Sequence, residues 1–157
     1  MDKKQIYSEV AEQITAVTEG EENFIARMAT VSCLLSEAFD DFFWTGFYIV
    51  DGKELVVGPY QGSLGCLRIA YGRGVCGTAA ATGQTQIVDN VHDFPGHIAC
   101  DSRSVSEIVV PVFNQDNDLI AVLDVDSESK ATFDETDRRY LEQIVGDIFA
   151  RCTISPN

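Results

Sequence analysis

The sequence predicts an α+β fold in which a central antiparallel sheet of about six strands has the N- and C-terminal helices packed on one face. Three observations lead to this prediction. Apolar residues repeat at helical spacing near both ends, short β-branched and aromatic runs fill the middle, and turn residues separate those runs. Strands gathered between terminal helices are typical of a helix layer packed on an antiparallel sheet. With 157 residues, the chain is expected to form one domain, residues 1–157.

Helices are predicted at three places. The apolar spacing indicates one helix over residues 3–17 and a second from about residue 23 to residue 39. Cys33 lies inside the second helix and is interpreted as a packed core residue, since a free cysteine behaves as a small hydrophobe. The last helix is expected to be capped by Asp134, and Cys152 in its tail is interpreted as inert.

Six strands and one long loop are predicted between these helices. Asp51-Gly52 is a strong hairpin signal between the first two strands. The loop, residues 89–104, has the length of a lid or binding loop. The predicted strands cover residues 44–50, 53–57, 64–70, 85–88, 107–113 and 119–126.

The first strand carries two aromatic residues on one face. Trp44, Gly46 and Tyr48 share that face because strand side chains alternate, so the rings could form a slot around the glycine. Two interpretations remain open. The rings fill the core, or they form a wall for a small apolar or sulfur-bearing ligand, since thioether sulfur contacts aromatic rings favourably.

Three of the five cysteines lie between residues 60 and 111. Small residues surround Cys66, Cys76 and Cys100, and reactive thiols need access to solvent. We hypothesise that this segment brings the three thiols into one redox site. Since the chain begins without a secretory signal, we expect a reducing cytoplasmic location, where a transient catalytic disulfide is favoured over a structural one.

The glycine-rich run from Gly72 to Gly77 formally matches a dinucleotide-binding fingerprint, but its context is wrong. That fingerprint needs a long helix and an acid about 20 residues on, whereas Gly83 ends the helical run and Asp89 comes too soon. A tight turn into a short helix beginning near Cys76 fits better, and the amides at its start would stabilise a thiolate there.

Several kinds of partner are not expected. The formal net charge is −14, and an acidic surface attracts neither a nucleic-acid backbone nor an anionic membrane. No apolar run approaches the roughly 20 residues that span a bilayer. A metal site built from the three central cysteines with His92 and His97 is disfavoured, because the spacings contain neither Cys-x-x-Cys nor His-Glu-x-x-His.

Three acidic residues are predicted to meet in the last hairpin. Asp124 and Asp126 share one face of its second strand, and antiparallel pairing brings Glu107 opposite them. The two aspartates could instead form a solvated edge. They could also hold a cationic ammonium group. Three neighbouring carboxylates repel, which raises the pKa of at least one, and a raised carboxyl pKa is what a general acid needs.

These segments together resemble the free methionine-(R)-sulfoxide reductases, which are single GAF domains. The resemblance covers most of the chain and is densest from Trp44 to Phe133, and it implies a GAF-like fold. The run of residues 97–101 together with three cysteines makes it specific. The motifs that carry it are Trp44-x-Gly46-Phe47-Tyr48, Gly58-Pro59-Tyr60-Gln61-Gly62, Gly72-Arg73-Gly74-Val75-Cys76-Gly77, His97-Ile98-Ala99-Cys100-Asp101, Ser106-Glu107-Ile108 and Leu123-Asp124-Val125-Asp126.

The resemblance implies a role for each of the three cysteines. Cys100 would be the nucleophile that attacks the sulfoxide sulfur and becomes a sulfenic acid. Cys66 would resolve it as a disulfide, with Cys76 as a second partner, and thioredoxin would restore the thiols without any bound cofactor.

The resemblance also implies how the substrate, free methionine sulfoxide, is held. Trp44 and Tyr48 would wall the methyl-sulfoxide end, while Glu107, Asp124 and Asp126 would bind the ammonium group and help protonate the departing oxygen. The rival interpretation is a GAF module that senses a small ligand or acts as a redox switch. Helix-face homodimers are common among GAF domains, so a homodimer is a further expectation.

Overall fold

The computed structural model describes residues 1–98 and 100–151. Cys152, interpreted above as inert, lies outside the described residues. In chain order the elements are α1 (Lys3–Thr18), α2 (Phe24–Ala38), β1 (Trp44–Asp51), β2 (Glu54–Gln61), β3 (Arg68–Ala70), α3 (Gly74–Thr82), β4 (Gln86–Val88), a 3₁₀ turn (Val91–Asp93), β5 (Ser106–Phe113), β6 (Leu119–Ser127) and α4 (Glu135–Phe149).

The six strands form one sheet in the order β3-β2-β1-β6-β5-β4, and each neighbouring pair is antiparallel. The central pair, β1 and β6, joins the N-terminal hairpin to the C-terminal one. The predicted antiparallel sheet of about six strands is therefore confirmed.

Helices α1, α2 and α4 share one face of the sheet, as predicted for the terminal helices, and bury the larger core with Phe47 of β1. A buried polar contact links the two ends of the chain in this layer. The Tyr7 hydroxyl donates to Asp137 at 2.6 Å, and the Lys3 ammonium pairs with the same carboxylate at 2.7 Å. Asp134 caps α4 through a capping box, which confirms its predicted role.

Helix α3 packs on the opposite face, beside a second core cluster. It is only nine residues long and ends at Gly83, whose φ is +68°. A Cβ atom at Gly77 would lie 2.5 Å from the Ala70 carbonyl oxygen, so the turn into α3 requires a glycine there. The short helix and the antiparallel pairing of β3 differ from the long helix and parallel strands that a dinucleotide-binding unit needs around such a glycine-rich run.

Two local predictions were wrong. A strand was expected over residues 64–70, but only Arg68–Ala70 form one, β3. Leu64 and Leu67 are exposed, so the segment before β3 has no apolar face packed against the core. Cys33 is only half-buried, and its thiol donates to Glu37 at 3.8 Å on the helix surface. It therefore lies outside the packed core.

Among the helices of the described chain, none combines the length and the apolar character that a bilayer crossing requires.

Candidate active site

Strand register brings the predicted acids together on the face of the sheet that carries α3. Glu107 on β5 lies directly opposite Asp126 on β6, which in turn lies opposite Trp44 on β1. Directly paired residues share a face, so these three form one row across the sheet. Asp124 is paired with Gly46 in the adjacent row, on the same face. The predicted meeting of the three carboxyl groups is confirmed.

Burial and mutual repulsion govern the protonation of these acids. Glu107 is 6% exposed and Asp124 is 5% exposed, while Asp126 is half-buried. Burial raises the pKa of all three carboxyl groups, and repulsion from neighbouring carboxylates raises the pKa of Glu107 and Asp126 further. A solvated edge is therefore excluded for Asp124, and the cluster retains protons at pH values where an exposed carboxylate has lost its own.

Cys76 contacts this carboxyl cluster, and this overturns the predicted thiolate. The residue is 4% exposed, in the first turn of α3, and its thiol donates to Glu107 Oε2 at 3.8 Å. Burial, followed by the negative charges of Asp124 and Glu107, raises the pKa of the Cys76 thiol well above its usual value. The effect of the carboxyl groups opposes that of the helix amides, so Cys76 is a buried thiol that holds its proton more tightly than a free cysteine does.

The other two central cysteines form a disulfide. Cys66 and Cys100 are bonded across 34 positions of sequence, with Cα atoms 5.4 Å apart. Cys100 is exposed and Cys66 is half-buried, so the expected access to solvent holds for Cys100 and is incomplete for Cys66. Cys76 and Cys100 line the same cavity, which brings all three predicted thiols to one side of the sheet.

The aromatic residues form a wall, but they enclose no slot. The rings of Trp44 and Tyr48 stack directly, with centroids 5.6 Å apart, and Tyr60 stacks on Trp44 at 4.8 Å. The space beside Gly46 is taken by Tyr60, whose Cβ would overlap a Cβ at residue 46. Trp44 and Tyr48 are thus both core residues and cavity walls, which combines the two interpretations left open by the sequence.

Gly65 leaves room beside this wall. A Cβ atom there would lie 3.0 Å from Trp44 Cζ2 and 3.1 Å from the Tyr48 hydroxyl. Any larger residue at position 65 would press on both rings, so the glycine widens the cavity next to the disulfide.

A hydrogen-bonded brace around Asp101 was missed by the sequence reasoning. Ser63 donates to the Asp101 carboxylate at 2.7 Å, and the Arg103 guanidinium and backbone amide bind the same group at 2.7–3.1 Å. These bonds hold the pKa of Asp101 far below its usual range. Through Ser63 and Asp101, the brace links the loop that carries Cys66 to the loop that carries Cys100. The sequence signal that could have predicted it is the Asp-x-Arg spacing of Asp101 and Arg103, which fits a turn capped by an aspartate side chain.

The cavity between α3, the Cys100 loop and the sheet has a volume of about 50 Å³. It has an apolar aromatic side and an acidic floor, and the Cys66–Cys100 disulfide lies at its mouth. This arrangement can orient a small amino acid, donate a proton and exchange electrons through sulfur. Its lining comprises Trp44, Tyr48, Leu64, Gly65, Ile69, Arg73, Gly74, Val75, Cys76, His97, Ile98, Cys100, Asp101, Ser104, Glu107, Asp124 and Asp126.

The chain is a GAF-domain protein, since the GAF domain family matches residues 11–149. It is 51% identical over 144 residues to GAF domain-containing protein A of Dictyostelium discoideum, with 91% of this chain and 90% of that protein covered. It is 44% identical over 148 residues to free methionine-R-sulfoxide reductase of Escherichia coli, with 94% of this chain and 89% of that protein covered.

A solved structure shows which family of GAF-domain proteins this chain resembles. The X-ray structure of free methionine-R-sulfoxide reductase from Neisseria meningitidis in complex with its substrate superposes with a TM-score of 0.91 at 49% identity, with 94% of this chain and 89% of that chain covered. The chain belongs to the free methionine-R-sulfoxide reductase family, and the resemblance seen in the sequence is confirmed.

Proposed function

We propose that this protein reduces free L-methionine (R)-S-oxide to L-methionine by a cysteine sulfenic acid and disulfide cycle. The observation that carries the proposal is the Cys66–Cys100 disulfide at the mouth of a cavity with an aromatic wall and an acidic floor. The R preference is proposed from the similar free methionine-R-sulfoxide reductases, which align with 94% of this chain.

The residues that bind the substrate are assigned from the charges and hydrogen-bonding groups that line the cavity. The buried Asp124 oxygen Oδ1 has no hydrogen-bond partner among the described residues, and Asp126 lies on the same strand face. An ammonium group supplies both the positive charge and the donors that this pair needs. The methyl-sulfoxide end then lies against Trp44 and Tyr48, because sulfur-bound methyl groups contact aromatic rings favourably.

The reduction uses one thiolate and one proton. The Cys100 thiolate attacks the sulfoxide sulfur while the sulfoxide oxygen takes a proton from the carboxyl cluster, for which Glu107 is the assigned donor. The hydroxyl oxygen then passes to the Cys100 sulfur, as the substrate's sulfur–oxygen bond and the transient sulfur–sulfur bond both break. Methionine and a Cys100 sulfenic acid result. The Cys66 thiol then attacks the sulfenic sulfur, water leaves, and the Cys66–Cys100 disulfide forms. The buried Cys76 is the proposed second thiol partner, available only after the site opens.

Thioredoxin is the proposed reductant. One thiolate of its dithiol attacks the exposed Cys100 sulfur and releases the Cys66 thiolate. Its second thiol then breaks the mixed disulfide, releases Cys100 and leaves thioredoxin oxidised. Leu64 and Leu67 flank Cys66 and are 79% and 73% exposed, so apolar surface adjoins the bond that must be reached. The cycle needs a reducing compartment, and a cytoplasmic location is proposed for that reason. The homodimer remains a prediction.

The test is turnover of each methionine sulfoxide enantiomer by reduced protein with thioredoxin and its reductase. The wild-type protein is expected to consume the R form of the free amino acid, and Cys100→Ser is expected to consume neither. The matched control is Cys33→Ser, which removes a thiol outside the site and should keep full turnover. Binding of the sulfoxide without turnover would indicate the rival sensor function, and normal turnover by Cys100→Ser would refute the assigned nucleophile.

A further inference from the structure

We propose that Cys76, Glu107 and Asp124 form a binding site for one thiophilic divalent cation, such as Zn²⁺, and that the bound ion excludes the substrate. The three side chains come from α3, β5 and β6, so rigid elements hold them. The first half of this proposal concerns binding alone. The second half rests on the proposed function, because it assigns the ion and the substrate's ammonium group to the same acids.

The distances suit a small cation. One ligand atom from each residue, the Cys76 sulfur and two carboxylate oxygens, lies within 4.8 Å of the other two. Zinc bonds of about 2.3 Å to sulfur and about 2.0–2.2 Å to oxygen place tetrahedral ligand atoms roughly 3.2–3.8 Å apart. The Cys76 sulfur and Glu107 Oε2 are already 3.8 Å apart. Closing the site therefore requires a contraction of about 1 Å, within the reach of side-chain rotation.

A second observation points to a missing ligand. Asp124 Oδ1 is buried and has no hydrogen-bond partner among the residues that the structure describes. Asp124 also lines the cavity, so this oxygen belongs to a side chain at the cavity floor. A buried carboxylate oxygen without a partner costs free energy, and coordination to a cation removes that cost.

The donor set selects the kind of ion. Two carboxylates alone would suit Mg²⁺ or Ca²⁺, but a sulfur ligand favours a borderline or soft metal such as Zn²⁺. Three protein ligands leave a fourth position, which water fills from the cavity. On binding, the Cys76 thiol loses its proton to solvent and a sulfur–metal bond forms. No group is oxidised or reduced, and the Cys66–Cys100 disulfide is unchanged.

Cys33 provides a matched control for Cys76. Its sulfur also lies 3.8 Å from a carboxylate oxygen, that of Glu37, but it is half-buried on the surface of α2 and belongs to no such three-ligand group among the described residues. If any cysteine beside a carboxylate sufficed for binding, the two thiols would behave alike. The proposal requires them to differ.

The experiment uses the full chain in its disulfide form, with Cys152→Ser as the common background so that Cys33 and Cys76 are the two remaining thiols. Co²⁺ is titrated as the probe, its thiolate charge-transfer absorbance is recorded, and Zn²⁺ is then added to displace it. We expect one Co²⁺ per chain, with the band kept in Cys33→Ser. Cys76→Ser should abolish the band and weaken binding by more than the roughly 10–100-fold that loss of an outer-shell partner costs. Glu107→Gln, which keeps the thiol, should weaken binding in the same direction.

Other outcomes overturn the proposal. Equal Co²⁺ affinity in Cys76→Ser, or a band lost in Cys33→Ser, would place the ion elsewhere. The exclusion of substrate is tested separately in the same disulfide form, in which Cys100 has no free thiol to reduce the sulfoxide. Saturating methionine sulfoxide should lower its Co²⁺ affinity by about 10-fold or more. An unchanged affinity refutes the exclusion and leaves the metal site standing. Since none of these measurements involves turnover, a failure of the proposed reductase activity would be recognised independently.

Discussion

The substitution Glu107→Gln examines the proposed proton donor with little change of shape, since glutamine keeps the size of the side chain and removes its acidic proton. A carboxylate oxygen of Glu107 lies within 4.8 Å of one from Asp124. Two ionised carboxylates at that distance repel by about 3.5 kcal/mol at an effective dielectric constant near 20. Repulsion of this size, added to burial, raises the pKa of Glu107, so the pair holds a proton at pH values where an exposed glutamate has lost its own. Glutamine makes residue 107 permanently neutral but unable to give up that proton.

We expect Glu107→Gln to lower kcat/KM for methionine-R-sulfoxide by about 10²–10⁴-fold, the usual contribution of a general acid and equivalent to about 2.7–5.5 kcal/mol. The assay is thioredoxin-coupled turnover across a range of pH. Wild-type kcat/KM should decline as the pH rises through the raised pKa of Glu107, because the neutral acid is then lost. The variant should lack this decline. An unchanged kcat/KM at neutral pH would remove Glu107 from the mechanism.

The same substitution should leave the fold intact. The folded-state pKa of Glu107 is above its unfolded value of about 4.3, so the folded protein binds this proton more tightly than the unfolded chain does. Its contribution to stability is therefore complete below the unfolded pKa and is lost as the pH rises towards the folded one. Urea unfolding should show the variant equal to wild type near pH 4 and more stable at alkaline pH. A variant that is less stable at alkaline pH would contradict the assigned repulsion.

Two further predictions concern the reductant and the stability of the helix layer. Leu67→Ser should lower kcat/KM for thioredoxin several-fold while turnover driven by a small dithiol is unchanged, with Ile25→Ser, an exposed apolar residue on α2, as the control; equal losses with both reductants would refute docking at residue 67. Tyr7→Phe should lower the free energy of unfolding by about 1–3 kcal/mol, because it leaves a buried Asp137 oxygen without its 2.6 Å donor. A loss below about 0.5 kcal/mol in urea unfolding would show that water replaces the hydroxyl.

The carboxyl cluster shows how far sequence reasoning can reach. Alternation assigned Asp124 and Asp126 to one face, and the hairpin turn set the register that places Glu107 opposite Asp126. Both rules are local, because they depend only on strand periodicity and on turn length. The raised pKa values of the cluster were predictable for the same reason. The positions of these acidic residues along the chain were therefore enough to predict that they meet and that their pKa values are raised.

Cys76 shows where such reasoning ends. Its place near a helix start was predicted, and from this a stabilised thiolate was expected. The packing of α3 onto β5 and β6 reverses that expectation, since it buries the sulfur and turns it towards Glu107 and Asp124. The same holds for Trp44 and Tyr48, whose rings stack on each other because Tyr60 fills the space beside Gly46. The spacing of apolar residues along one helix or strand does not show which side chains of another element it will contact.

The sequence by itself determined the layer order, the antiparallel hairpins, the row of acids and, through its motifs, the family. These properties follow from periodicity, turn chemistry and residue identity, all of which are read along the chain. Only the tertiary structure decided which thiols are accessible, how the Asp101 brace joins two loops, and which buried oxygen has no partner. Those properties depend on distances and desolvation between segments that lie far apart in the sequence.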